Sequence, residues 1–108
     1  MQRYWIRMKA EALADLEGIE DYLSRNASAF RAEQYLGRIR VFLEGLRTFP
    51  ERGSVRHDIR PGLRVIGFER RIAVAFTVEG DEVVIFRLLY GGRSLDPNDL
   101  ELPPTPGP

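Results

Sequence analysis

Most of the side chains able to do chemistry in this chain are crowded into one arginine-dense stretch. Residues 52–71 carry Arg52, Arg56, Arg60, Arg64, Arg70 and Arg71 against Asp58 and Glu69, four positive charges in excess. The whole chain, by contrast, balances 16 basic against 16 acidic residues. A local positive field on a neutral body predicts a site for something anionic. Arg87 and Arg93 extend the supply, and a guanidinium group suits carboxylate or phosphate because its forked N–H donors fit either. Cleavage of a phosphodiester needs a base and an acid as well as positive charge. Proton carriers are few: Tyr90, His57 and carboxylates such as Glu51 and Glu69. Charge without a matching set of proton carriers points to docking more than to catalysis.

The rest of the composition narrows the classes. A length of 108 residues fits one domain able to bury a core. The chain has no cysteine and one histidine, so disulfides and thiolate or histidine metal sites are not expected, and neither is a cofactor. No apolar run reaches the ~20 residues of a membrane span, and the N-terminus lacks the apolar centre of a signal peptide. The expected location is the cytoplasm, with no membrane partner. Fifteen of the sixteen basic residues are arginine, a bias that base composition of the genome explains as simply as a need for bidentate contacts.

The positioning elements follow from periodicity. Tyr4, Trp5, Ile6 and Met8 read as a short opening strand. From Lys9 to about Arg25, Leu13, Leu16, Ile19 and Leu23 draw one stripe on a helix, with acids on the opposite face. Asn26-Ala27-Ser28 breaks the pattern and offers a capping side chain. A second helix runs to about Thr48 with Tyr35, Leu36, Ile39, Phe42, Leu43 and Leu46 buried, and Pro50 and Gly53 end it. So short a connection predicts an antiparallel helical hairpin. The period then changes to two over Leu63–Phe68, Arg71–Val78 and Val83–Tyr90, with a turn at 79–82. Ile72, Val74, Phe76 and Val78 should pack on the helices, leaving Ala73, Ala75 and Thr77 to solvent or a partner. In the last run Val83, Ile85 and Leu89 are set against Val84, Phe86 and Leu88. The expected fold is α+β, in the order β-α-α-β-β-β, with the hairpin packed on a small, mostly antiparallel sheet. Residues 1–96 form the domain. Residues 97–108 form an acidic, proline-rich tail expected to be poorly ordered.

Each candidate also has a plain structural reading. Arg64, just inside a strand, is placed to pair with a helix acid such as Asp15, and Arg87, among apolar neighbours, reads as half of a fold-holding ion pair. His57 reads as a solvated loop residue. Tyr90 reads as a strand-end residue with a wet hydroxyl, and Gly91-Gly92 as a turn. Arg93 reads as exposed and available for binding.

The order of the motifs resembles the ParE/RelE toxins of type II toxin–antitoxin systems over about residues 3–96. The resemblance rests on A-x-x-D-L-x-x-I-x-x-Y-L (Ala12 to Leu23), L-x-x-F-P-x-x-G (Leu46 to Gly53), R-P-G-L-R (Arg60 to Arg64), I-x-V-x-F-x-V (Ile72 to Val78) and V-x-I-x-R-L-L-Y-G-G-R-S-L (Val83 to Leu95). The closing segment is similar to the ParE branch, although Tyr90 stands where many members have histidine and Phe76 where many have tyrosine. The resemblance implies a toxin that inhibits DNA gyrase by protein–protein contact. It also implies a cognate antitoxin, a ParD-like ribbon-helix-helix protein that holds the toxin in a hetero-oligomer and alone contacts operator DNA. An alternative is a RelE-like endoribonuclease acting on messenger RNA at the ribosome, in which Tyr90, Arg64 and Arg87 would be catalytic. A second alternative is a detoxified regulatory or assembly subunit. The residues implied to meet the target or the antitoxin are Arg56, Arg60, Arg64, Arg70, Arg71, Ala73, Ala75, Arg87, Tyr90 and Arg93.

Overall fold

A computed structural model describes residues 3–91. The expected fate of Gly92, Arg93 and the tail from residue 97 lies outside the described residues. The elements are β1 (Trp5–Met8), α1 (Ala10–Asn26), α2 (Ala29–Gly45), β2 (Ser54–Val55), β3 (Arg64–Phe68), β4 (Ile72–Glu79) and β5 (Glu82–Tyr90). They form one five-stranded sheet in the order β1-β5-β4-β3-β2. β1 runs parallel to β5, and all the other pairs are antiparallel. The architecture is the α+β hairpin-on-sheet expected from the periodicities, with one strand added. No helix among the described residues is long and apolar enough to cross a membrane.

Local chemistry explains the boundaries. Ser28 ends the break between the helices by accepting a hydrogen bond on its Oγ from the Arg31 N–H at 3.1 Å, which satisfies a donor the first turn leaves open. α2 stops at Gly45, three residues short of the expected end, and Leu46 to Thr48 continue as tight turns with i→i−3 hydrogen bonds. Gly53 has φ 81°, and a Cβ there would lie 2.4 Å from the Val65 carbonyl oxygen. Only glycine allows the chain to come that close to β3 and begin β2.

The main core lies between the hairpin and one face of the sheet. Ile19, Leu23, Ile39 and Leu43 meet Ile72, Val74, Phe76, Val83, Ile85 and Leu88. Ile85 and Leu88 are three apart, an odd spacing that a regular strand would put on opposite faces. A bulge resolves this: Phe76 pairs with Ile85 but Ala75 pairs with Arg87, so Phe86 is an extra residue on β5. Leu88 therefore joins Val83 and Ile85, correcting the alternation expected from sequence.

The opposite face of the sheet is also covered. Leu63, Ala75, Val84 and Phe86 form a second cluster, packed by Ile59 and Val65. Ala75 is 1% exposed and Thr77 4%. Ala75, on the face expected to await solvent or a partner, is covered by Ile59 and Leu63 of the chain's own 56–63 segment, whereas Ala73 stays half-buried.

Candidate functional site

The arginine-rich stretch does not form one patch. Its first half lies over the second sheet face, where Arg60 stacks its guanidinium 4.6 Å from the Phe86 ring centroid. Arg56 spends its fork on Asp58, with Nε–Oδ1 at 2.9 Å and Nη2–Oδ2 at 2.8 Å, and this hydrogen-bonded pairing raises the arginine pKa and lowers that of the carboxyl. His57 Nδ1 accepts the Gly62 N–H at 3.0 Å, so the loop histidine is a staple across the segment and not simply solvated. Arg64 is half-buried at the start of β3, opposite Phe76.

Arg70 and Arg71 belong to the other end of the hairpin. The turn joining β3 to β4 places Glu69 at φ 50° and Arg70 at φ 60°, the left-handed pair of a type I′ turn that ordinarily calls for asparagine and glycine. Two non-glycine residues in that region cost roughly 1–2 kcal/mol each. The turn is held from outside by Arg38 on α2, whose Nε and Nη2 meet the two Glu69 oxygens at 2.7 and 3.1 Å. That pairing, chiefly through its hydrogen bond, lowers the Glu69 pKa.

Beside this turn, the hairpin and the end of β5 enclose a cleft of about 600 Å³. Tyr22 from α1, Tyr35 from α2 and Tyr90 from β5 line it together with Arg31, Arg38 and Arg71. The Tyr22 and Tyr90 rings lie 5.3 Å apart and tilted. Tyr35 is 9% exposed, and its hydroxyl has no hydrogen-bond partner among the described residues. Its phenol pKa is raised, first by burial and then by Tyr90 and Glu69, with Arg71 and Arg38 opposing. An apolar groove of about 720 Å³ adjoins the cleft and shares Gln34, Arg38 and Glu69 with it. Val41, Phe42 and Phe68 line this groove.

Of the residues singled out from sequence, the structure brings Tyr90 and Arg71 together in the cleft. Arg87 is 8% exposed and paired to Asp15 on α1. The helix acid expected for Arg64 is thus taken by Arg87. Tyr90, Arg64 and Arg87 do not converge as a catalytic set would. Tyr90 is in register with Ile72 and Phe68, whereas Arg64 is in register with Phe76, roughly 13 Å away along the sheet at ~3.3 Å per residue. Ala73 is half-buried and Ala75 buried, so Ala75 offers no accessible binding surface. The helical contributions to the cleft, Tyr22, Arg31, Tyr35 and Arg38, were not singled out as site residues. The available signal was a tyrosine on a buried stripe, since a phenol there needs a partner that phenylalanine does not.

Three comparisons with known proteins bear on this geometry. A sequence model described as the ParE toxin of type II toxin–antitoxin system, parDE, matches residues 6–95. The chain is 33% identical over 81 residues to Toxin ParE3 of Caulobacter vibrioides, covering 75% of this chain and 80% of that protein. It is also similar to a chain of the chromosomal ParDE TA system from P. aeruginosa, with a TM-score of 0.69 and 25% identity, over 82% of this chain and 96% of that one.

Proposed function

This chain belongs to the family of ParE toxins of type II toxin–antitoxin systems, and on that premise we propose that it inhibits DNA gyrase by protein–protein contact. A cognate ParD-like, ribbon-helix-helix antitoxin neutralises it in a hetero-oligomer in the cytoplasm. Operator DNA is reached through that antitoxin. The match across residues 6–95 carries the reading. The separation of Tyr90 from Arg64, and the burial of Arg87 against Asp15, support a toxin that works by contact and not by cleaving RNA.

The test is supercoiling by purified gyrase with added toxin, run beside a translation reaction containing wild-type toxin or Tyr90→Phe. Inhibited supercoiling with intact messages supports the reading. Normal supercoiling with message cleavage that depends on Tyr90 would overturn it in favour of an endoribonuclease. Normal growth of cells expressing the toxin alone would instead favour a detoxified subunit.

A further inference from the structure

We infer that the three-tyrosine cleft is a receptor for a carboxylate, and that its occupant is an acidic side chain on the antitoxin's tail. That side chain follows, or precedes by four or five residues, an apolar anchor seated in the adjoining groove. The inference rests on the toxin–antitoxin reading above and adds the chemistry of recognition to it.

Three observations carry it. The first is the Tyr35 hydroxyl, more than nine-tenths buried and without a partner among the described residues. It stands in the electrostatic field of Tyr90, Glu69, Arg71 and Arg38, all of which line the cleft. A buried donor left unpaired is a cost that a bound acceptor removes. The second is charge. Arg31 and Arg71 line the cleft, are exposed, and make no salt bridge with any described residue, whereas Arg38 is already committed to Glu69. Two guanidinium groups without a salt bridge to a described residue, lining the same cleft as one phenol, match a single carboxylate, which accepts from several donors at once. They do not match a polynucleotide, which would need a run of phosphate contacts.

The third observation is continuity. The cleft and the apolar groove share Gln34, Arg38 and Glu69, so one ligand can occupy both. Val41, 73% exposed, lies at the groove's end of α2, ten residues from Arg31 at the cleft's end. At 1.5 Å per residue that is roughly 15 Å. An extended peptide covers it in four or five residues. An apolar residue and an acidic one at that spacing are what the two sites together select.

The experiment uses the full-length toxin and the antitoxin encoded beside it, with dissociation constants measured at low and moderate salt. Arg31→Gln combined with Arg71→Gln should weaken binding by about tenfold or more at low salt and flatten its salt dependence. Tyr35→Phe should weaken binding severalfold while the free toxin melts no lower than wild type, because the variant deletes an unpaired buried hydroxyl. A residue with only a structural role would show the opposite, with affinity kept and stability lost. Arg40→Gln, on the same helix but outside both sites, should bind as wild type does. Wild-type affinity in the double variant, with complex formation intact, would overturn the carboxylate receptor and leave the toxin–antitoxin reading standing. Failure of the wild-type pair to associate would overturn that reading itself. Binding of a short single-stranded RNA that Tyr35→Phe abolishes, with antitoxin affinity unmoved, would assign the cleft to nucleic acid and overturn the proposal.

Discussion

Asp15 and Arg87, 72 residues apart, form a two-point ion pair, with Nε–Oδ2 at 2.6 Å and Nη2–Oδ1 at 2.9 Å. The same carboxylate accepts the Leu88 N–H at 2.9 Å. β1 ends its pairing at Ile85, so Asp15 takes over the edge of β5 where β1 stops. It binds α1 to the sheet just past the Phe86 bulge, with both side chains 10% exposed. Asp15→Ala should lower stability by about 3–5 kcal/mol, because it strands a buried charge. Asp15→Leu combined with Arg87→Met should lose much less than the sum of the single changes, as read by urea denaturation. Additive losses would mean that the two side chains are not energetically coupled.

The turn at Glu69 and Arg70 holds two non-glycine residues at positive φ. Arg70→Gly should raise stability by about 1 kcal/mol, seen as a higher Tm. A lower Tm would show that the Arg70 side chain contributes more than its backbone geometry costs.

Gly53 and Gly80 both have positive φ, but their surroundings differ. A Cβ on Gly53 would meet Val65 O at 2.4 Å and Ile66 Cβ at 2.9 Å, whereas nothing lies within 4 Å at Gly80. Gly80→Ala should cost about 1 kcal/mol from backbone strain alone. Gly53→Ala should cost at least about 2 kcal/mol and loosen β2, which hydrogen exchange at Val55 and the facing Arg64 would report. Equal losses at the two sites would contradict the close approach.

Titration of Tyr35 should be visible at alkaline pH. Burial, then Tyr90 and Glu69, raise its folded-state pKa above the ordinary value of about 10. The group's contribution is therefore fully present below that value. It is lost as pH rises past it toward the folded-state pKa. Tyr35→Phe should lose less stability than wild type between neutral and strongly alkaline conditions. An unchanged alkaline slope would place the hydroxyl in water.

The acid side involves Glu69, whose folded-state pKa is lowered chiefly by the hydrogen bond from Arg38. That contribution is present above the ordinary carboxylate pKa and is lost as pH falls through the folded-state value. Glu69→Gln should flatten the acid limb of the stability curve only slightly, since the pair is solvated. A large change would mean the bridge is held far more rigidly than its exposure suggests.

Much of the fold was legible because burial writes a period into the chain. Ile19 and Leu23 fall on a helical stripe, Ile72, Val74 and Phe76 on an alternating one, and Ser28 announces the second helix by its capping chemistry. β2 was not legible: Ser54 and Val55 are too few to show a period, and only Gly53's approach to Val65 reveals why a strand forms there. The bulge at Phe86 was hidden for a related reason. One inserted residue shifts the parity of everything after it, and an all-apolar run such as Val83–Leu89 gives no polar residue to mark the shift.

Read alone, the chain determined the two helices and every strand but β2, the class of fold, and the type of charge available for binding. These depend on local spacing, which every residue carries with it. Which arginine meets which acid was decided only by tertiary structure. Asp15 lies against β5 and takes Arg87, leaving Arg64 half-buried elsewhere. Tertiary structure also divided the arginine stretch between two surfaces and roofed Ala75 with residues 56–63. It set Tyr35 beside Tyr90 and Arg71. Contacts between residues far apart in sequence follow from how elements pack, and no local period records the packing partner.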